Sequence, residues 1–275
     1  MKKLLIGSAT FIAFAAFGLA HAADMAPPAP VYLKAPPPPV YNWTGCYING
    51  GVGYGMWNQD HNAETYPGLI QLDQSTTTGG RDWLGRVGAG CDYQTPLFNN
   101  RVVIGVFGDY DFMGLSGNFG DLYNGLVGNE NESGAWYVGG RVGYLVTPTL
   151  MTFFDGGYTQ TRFDQVNLSY AGVPGVGCCL GSGPAGLNLP ATTYTGWFLG
   201  GGVEYALTWL PIPGLFWRNE YRFASYSAQD IPILFTSTGG SFSGCSIESP
   251  CGEHVQKYVQ TATTSLVWRF NFGGN

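Results

Sequence analysis

From residue 43 onward, apolar and small or polar side chains alternate with period two, interrupted at intervals by Gly, Pro, Asn and Asp. Residues 43–57 set Cys46, Ile48, Val52, Tyr54 and Met56 against Tyr47, Asn49, Gly51, Gly53 and Gly55. The alternation returns at 82–93, 102–112, 136–146, 150–159, 196–207, 215–223 and 257–272. Period two over such lengths, bounded by turn residues, predicts strands. The 196–223 stretch shows the scheme best. Trp197, Leu199, Val203 and Tyr205 share one face there, the break LPIPG follows, and Leu215, Trp217, Tyr221 and Phe223 resume the apolar phase.

The expected connections also alternate. Residues 58–81, 113–135, 160–193 and 227–256 are long, whereas 94–101, 147–149 and 208–214 are short. Eight antiparallel strands with long loops on one side and short turns on the other predict an all-β, up-and-down transmembrane β-barrel. The long loops would be extracellular and both termini periplasmic.

Charge phasing agrees with that geometry. Arg86, Arg141, Arg218, Arg222, Lys257 and Arg269 fall on the glycine-rich face, as do Asp92, Asp109, Asp111, Asp155, Glu204 and Glu220. The opposite face is then free to meet hydrocarbon. Eight strands enclose room for side chains only, so these residues predict a charge-filled lumen rather than a water channel. Glycines such as those at 50–53 and 200–202 lack a following helix, so they are read as space for lumen side chains and not as phosphate loops. Trp43, Trp57, Trp83, Trp136, Trp197 and Trp217 lie near strand ends and are assigned to the headgroup belt.

Composition narrows the class further. Glycine is abundant, with 43 residues, and charged residues are only 11%, against roughly 25% in an average soluble domain. No stretch beyond the N-terminus reaches the roughly 20 apolar residues of a membrane helix. Residues 1–22 have the basic, apolar and Ala-His-Ala layout of a signal peptide. Cleavage after Ala22 removes Lys2 and Lys3 and takes the formal charge from −6 to −8, which argues against nucleic-acid binding. Residues 23–42 form a proline-rich periplasmic linker, and 43–275 the barrel.

An exported chain with six cysteines predicts local disulfides. Cys245 and Cys251 bracket a short loop, Cys178 and Cys179 are adjacent, and Cys46 and Cys91 fall near the same end of neighbouring strands. No CxxC pair occurs and the mature histidines are His61 and His254. Neither a metal site nor any other cofactor is expected from such spacing.

Four strings carry a family resemblance: Trp43-Thr44-Gly45, Arg141-Val142-Gly143-Tyr144, Gly196-Trp197 with 202–208 (GVEYALT), and Glu220-Tyr221-Arg222. With them the chain resembles alphaproteobacterial major outer-membrane proteins of the RopB type, the 25-kilodalton outer-membrane surface proteins. The similarity runs from Trp43 to Phe272, and its combined signature in the sixth and seventh strands is specific. It implies an eight-stranded outer-membrane barrel with structural, surface-antigen and host-contact roles, embedded among lipid and lipopolysaccharide and inserted by the barrel-assembly machinery. In some relatives an alanine-aspartate N-terminus is joined to peptidoglycan, which points to Ala23. The chain departs from the family in its cysteines and in the Gly-Gly-Asn that follows Phe272.

Three functions compete: a non-enzymatic structural and surface-exposed barrel, a narrow porin-like channel for ions or small solutes, and a rim-located lipid A-modifying enzyme. The last would use His254, beside Glu253, with Ser241, Ser243 or Ser246 as nucleophile.

Overall fold

Hydrogen bonds that a lone strand cannot make internally are all satisfied when a sheet closes on itself, and this chain closes. The computed structural model describes residues 42–270, except 69, 100, 122, 172–182 and 244–249. The expected signal peptide, Ala23, Cys178, Cys179, Cys245 and Ser246 lie outside the described residues, as does all but Asn42 of the expected linker. Eight long strands make the ring: β1 (Gly45–Thr65), β2 (Thr76–Thr95), β3 (Val102–Asp121), β4 (Leu126–Thr147), β5 (Leu150–Phe163), β8 (Thr192–Ala206), β9 (Leu215–Tyr226) and β12 (Cys251–Phe270). Each pairs antiparallel with the next, and β1 pairs with β12 from Cys46↔Phe270 to Thr65↔Cys251, closing the barrel. Four short strands decorate one end: β6 (Val166–Tyr170), β7 (Gly183–Leu189), β10 (Gln229–Pro232) and β11 (Leu234–Phe235).

Side chains sort by phase, as a half-buried sheet requires. Outside stand Ile48, Val52, Met56, Val87, Val106, Val138, Val142, Phe154, Leu199 and Leu266, all exposed on the isolated barrel. A few polar groups share this face, and aromatic neighbours cover three of them. Trp217 Nε1 donates to Thr264 Oγ1 (2.6 Å), Tyr221 OH to Gln260 Oε1 (2.7 Å) and Trp136 Nε1 to Gln160 Oε1 (2.7 Å).

The structure revises three expectations. First, most of the expected long loops are strand. The β1 to β2 connection spans only 66–75 and the β3 to β4 connection 122–125, because ladder pairing continues beyond the apolar zone. There the outer face carries Asn58, Asp60, Ser116, Asn118, Asn129 and Asn131. An outer face in water has no reason to be apolar, so the hydropathy signal ends while the hydrogen bonding does not.

Second, a register shift between Glu132 and Gly134 flips the phase of β4. Glu130 and Glu132 thereby face inward on even positions, while Tyr137 and Arg141 face inward on odd ones. A bulge of this kind inserts one unpaired residue. Third, Trp43 and Trp57 are fully buried inside the barrel rather than in a headgroup belt. Trp57 Nε1 donates to Leu115 O (2.9 Å) and Trp43 Nε1 to Pro148 O (3.2 Å). Trp83, Trp136, Trp197 and Trp217 do lie on the outward phase.

Candidate functional site: the charged lumen

Inward positions of neighbouring strands stack in layers, and the charged residues occupy three of them. Nearest the short turns, Glu204 of β8 is fully buried and accepts from three guanidinium groups. Arg269 reaches its Oε1 through Nε (2.9 Å) and Nη2 (2.6 Å). Arg218 Nε (2.9 Å) and Arg141 Nη1 (3.2 Å) reach its Oε2. Asp92 accepts from Arg269 Nη1 at 2.6 Å, from Arg141 Nε at 2.8 Å and from Arg141 Nη2. Three cations thus share two carboxylates, and the Tyr47 ring adds negative potential. The guanidinium carbons of Arg141, Arg218 and Arg269 lie 4.6, 4.7 and 5.0 Å from its centroid, within cation–π range.

The middle layer inverts the balance. Arg86 grips Asp111 bidentately, Nε to Oδ1 at 2.6 Å and Nη2 to Oδ2 at 2.7 Å. Arg222 bonds Asp109 Oδ2 (2.5 Å) and Asp155 Oδ2 (3.4 Å) and pairs with Glu220. Phe107, Tyr137 and Phe198 pack around the Arg222 guanidinium at 4.9, 5.1 and 5.2 Å. Glycines make these carboxylates fit. A Cβ at Gly88, Gly105 or Gly200 would collide with Asp109, Asp92 or Asp155 respectively.

The third layer lies beyond the apolar zone, which β4 crosses at 136–146. Lys257 Nζ donates to Glu130 Oε1 (2.6 Å) and to Gln59, and sits 3.9 Å from the Phe163 ring centroid. Glu132 is fully buried and accepts from Thr161 Oγ1 (2.6 Å). Taken as part of the long connection 113–135, Glu130 and Glu132 fall outside the lumen set expected from sequence, and the bulge also puts them out of phase with Tyr137.

Burial pushes the Glu132 carboxyl up to about 7. The native state therefore holds a proton that the unfolded chain has released between pH about 4.5 and about 7, and stability falls as pH rises through that window. Glu132→Gln removes this dependence. Urea unfolding of the refolded protein should show a gain of about 1–2 kcal/mol at pH 8 and none at pH 4, the amide's own unpaired N–H offsetting part of the relief.

Beyond the lumen, the structure joins Cys46 and Cys91, a directly opposed pair of β1 and β2 on the outward face. Cys251 is also disulfide-bonded. His254 Nδ1 is hydrogen-bonded to Asp230 Oδ1 at 2.7 Å.

A closed eight-stranded barrel with an apolar outer zone, polar outer faces beyond it and charges confined within belongs to one class, the integral outer-membrane β-barrels. The comparisons make this specific: the chain belongs to the outer membrane protein beta-barrel domain family, whose model matches residues 9–270. It is 29% identical over 215 residues to the 31 kDa outer-membrane immunogenic protein of Brucella melitensis biotype 1, covering 75% of this chain and 81% of that one. The protein of the same description in Brucella suis biovar 1 matches equally. Among solved structures, OprG from Pseudomonas aeruginosa is 9% identical, covers 83% of this chain and 98% of its own, and gives a TM-score of 0.47. The outer membrane protease OmpT from Escherichia coli is 12% identical over 82% and 97%, with a TM-score of 0.41.

Proposed function

We propose that this outer-membrane barrel is a structural, surface-exposed protein that neither conducts nor catalyses. One observation carries the reading: arginines and carboxylates fill the lumen in two successive layers, each such residue at most 6% exposed. Ions have no wet path through side chains so packed and cross-braced. In the same reading the extended strand ends and β6, β7, β10 and β11 face outward from the cell, the short turns and both termini face the periplasm, and the outer rim supplies an antigenic surface, as the Brucella relative's description suggests. Lipid and lipopolysaccharide are its partners along the belt.

Planar-bilayer recording tests the proposal. Inserted wild-type protein should give no steady conductance. Discrete openings whose size changes with Arg141→Ala or Glu204→Ala would instead establish a narrow pore through the two layers.

A further inference from the structure

Three ligand-type side chains meet on the outer face of the barrel extension, from parts of the chain that sequence spacing cannot connect. Glu64 sits on β1, His254 on β12 and Asp230 on β10, and one donor atom from each lies within 4.8 Å of the others. The ladder explains why. Asp230 is directly opposite His254, and Glu64 opposite Gly252, one same-face position along β12. All three side chains therefore project from one face of three adjacent strands.

A turn closes over them. Tyr66 N donates to Pro250 O (2.8 Å), which draws the 66–68 turn across β12. Gly68, at φ +77°, lies so close to Asp230 Oδ2 that a Cβ there would collide with it. Beneath this cover Glu64 is only 5% exposed, and its Oε1 has no hydrogen-bond partner. A carboxylate oxygen so deeply buried and unpaired is rare, because leaving it unmade carries the full desolvation penalty. Burial and the neighbouring Asp230 carboxylate push the Glu64 carboxyl up to about 7. Two carboxylates crowd together beside one imidazole.

We propose that Glu64, Asp230 and His254 form a binding site for a divalent transition-metal ion of the zinc type at the outer rim of the barrel. Imidazole with carboxylates suits zinc and its neighbours, whereas calcium and magnesium prefer all-oxygen sites. The ion takes the place of the hydrogen bond between His254 Nδ1 and Asp230 Oδ1, with the imidazole ligating through Nδ1 as its Nε2–H tautomer; a ring protonated on both nitrogens would give its Nδ1 proton to solvent. The Glu64 oxygen gains the partner it lacks, and water completes the coordination. Bound there, the ion ties β10 to the β1–β12 seam. Spacing alone argued against a zinc site; the convergence of positions 64, 230 and 254 is a property of the fold.

The test uses tag-free full-length protein, refolded in detergent, stripped with chelator and titrated calorimetrically with Zn²⁺. One ion per chain should bind in the micromolar range or tighter and survive excess Mg²⁺ or Ca²⁺. His254→Ala and Glu64→Gln should each weaken binding about tenfold or more, since losing even an outer-shell partner of a ligand costs that much. His61→Ala should leave it unchanged. Heat-modifiable gel migration confirms that each variant is folded. Absence of saturable uptake by folded wild type, or uptake that persists undiminished in folded His254→Ala, overturns the assignment.

Discussion

Glu204→Ala is expected to be the most damaging single substitution in the barrel, with loss of the compact, heat-modifiable species on refolding or a large drop in its urea midpoint. Glu204 is fully buried and accepts from Arg141, Arg218 and Arg269. Without it those three guanidinium groups share Asp92 as the carboxylate of their layer. Breaking a buried pair by removing one partner costs about 3–5 kcal/mol, against a total stability of about 5–15 kcal/mol for an ordinary domain. Here one carboxylate serves three cations, so the upper end applies. Glu204→Gln separates charge from shape. It fills the same space, and its unfolding midpoint should fall nearly as far. A midpoint equal to wild type would mean that Glu204 holds the layer by packing alone.

The second large effect concerns the opposite face. Val142 lies halfway along the apolar zone of β4 and is 58% exposed on the isolated barrel. Val142→Arg should destabilise the protein in lipid vesicles by about 2–4 kcal/mol, whereas Asn129→Arg, on the same face of the same strand but beyond that zone, should change it by about 0–1 kcal/mol. Because both variants add one positive charge to one strand, their difference reports depth in the bilayer. Equal effects would place the hydrocarbon somewhere other than against 136–146.

The barrel was legible in the sequence wherever both of its environments were constant. Along 196–223 hydrocarbon outside and a packed lumen inside force strict alternation, so the positions of Glu204, Arg218, Glu220 and Arg222 follow from counting by two. Counting fails once either environment changes. Between Glu132 and Gly134 the backbone adds a residue, and counting back from Tyr137 puts Glu132 on the wrong face. Beyond Met56 and Phe112 the outside is water, so β1 and β3 run on for a further nine residues each without an apolar outer face. Trp57 marks the same boundary from within. Its position at a strand end suggested a headgroup anchor, yet its odd number puts it in phase with Tyr47 and the lumen. The rim cluster lay beyond any pattern, because Glu64, Asp230 and His254 come together through strand pairing and a folded-over turn.

The bridge between Cys46 and Cys91 bears on how the barrel is made. An oxidising compartment such as the periplasm keeps a bridge of this kind closed. Two directly opposed cysteines can join in one alignment only, and a slip by a single residue would send every side chain of β1 to the wrong face. The bond therefore acts as a template for alignment. It holds β1 against β2 in the one register in which the edge paired with β12 presents Tyr47, Asn49 and the glycines inward.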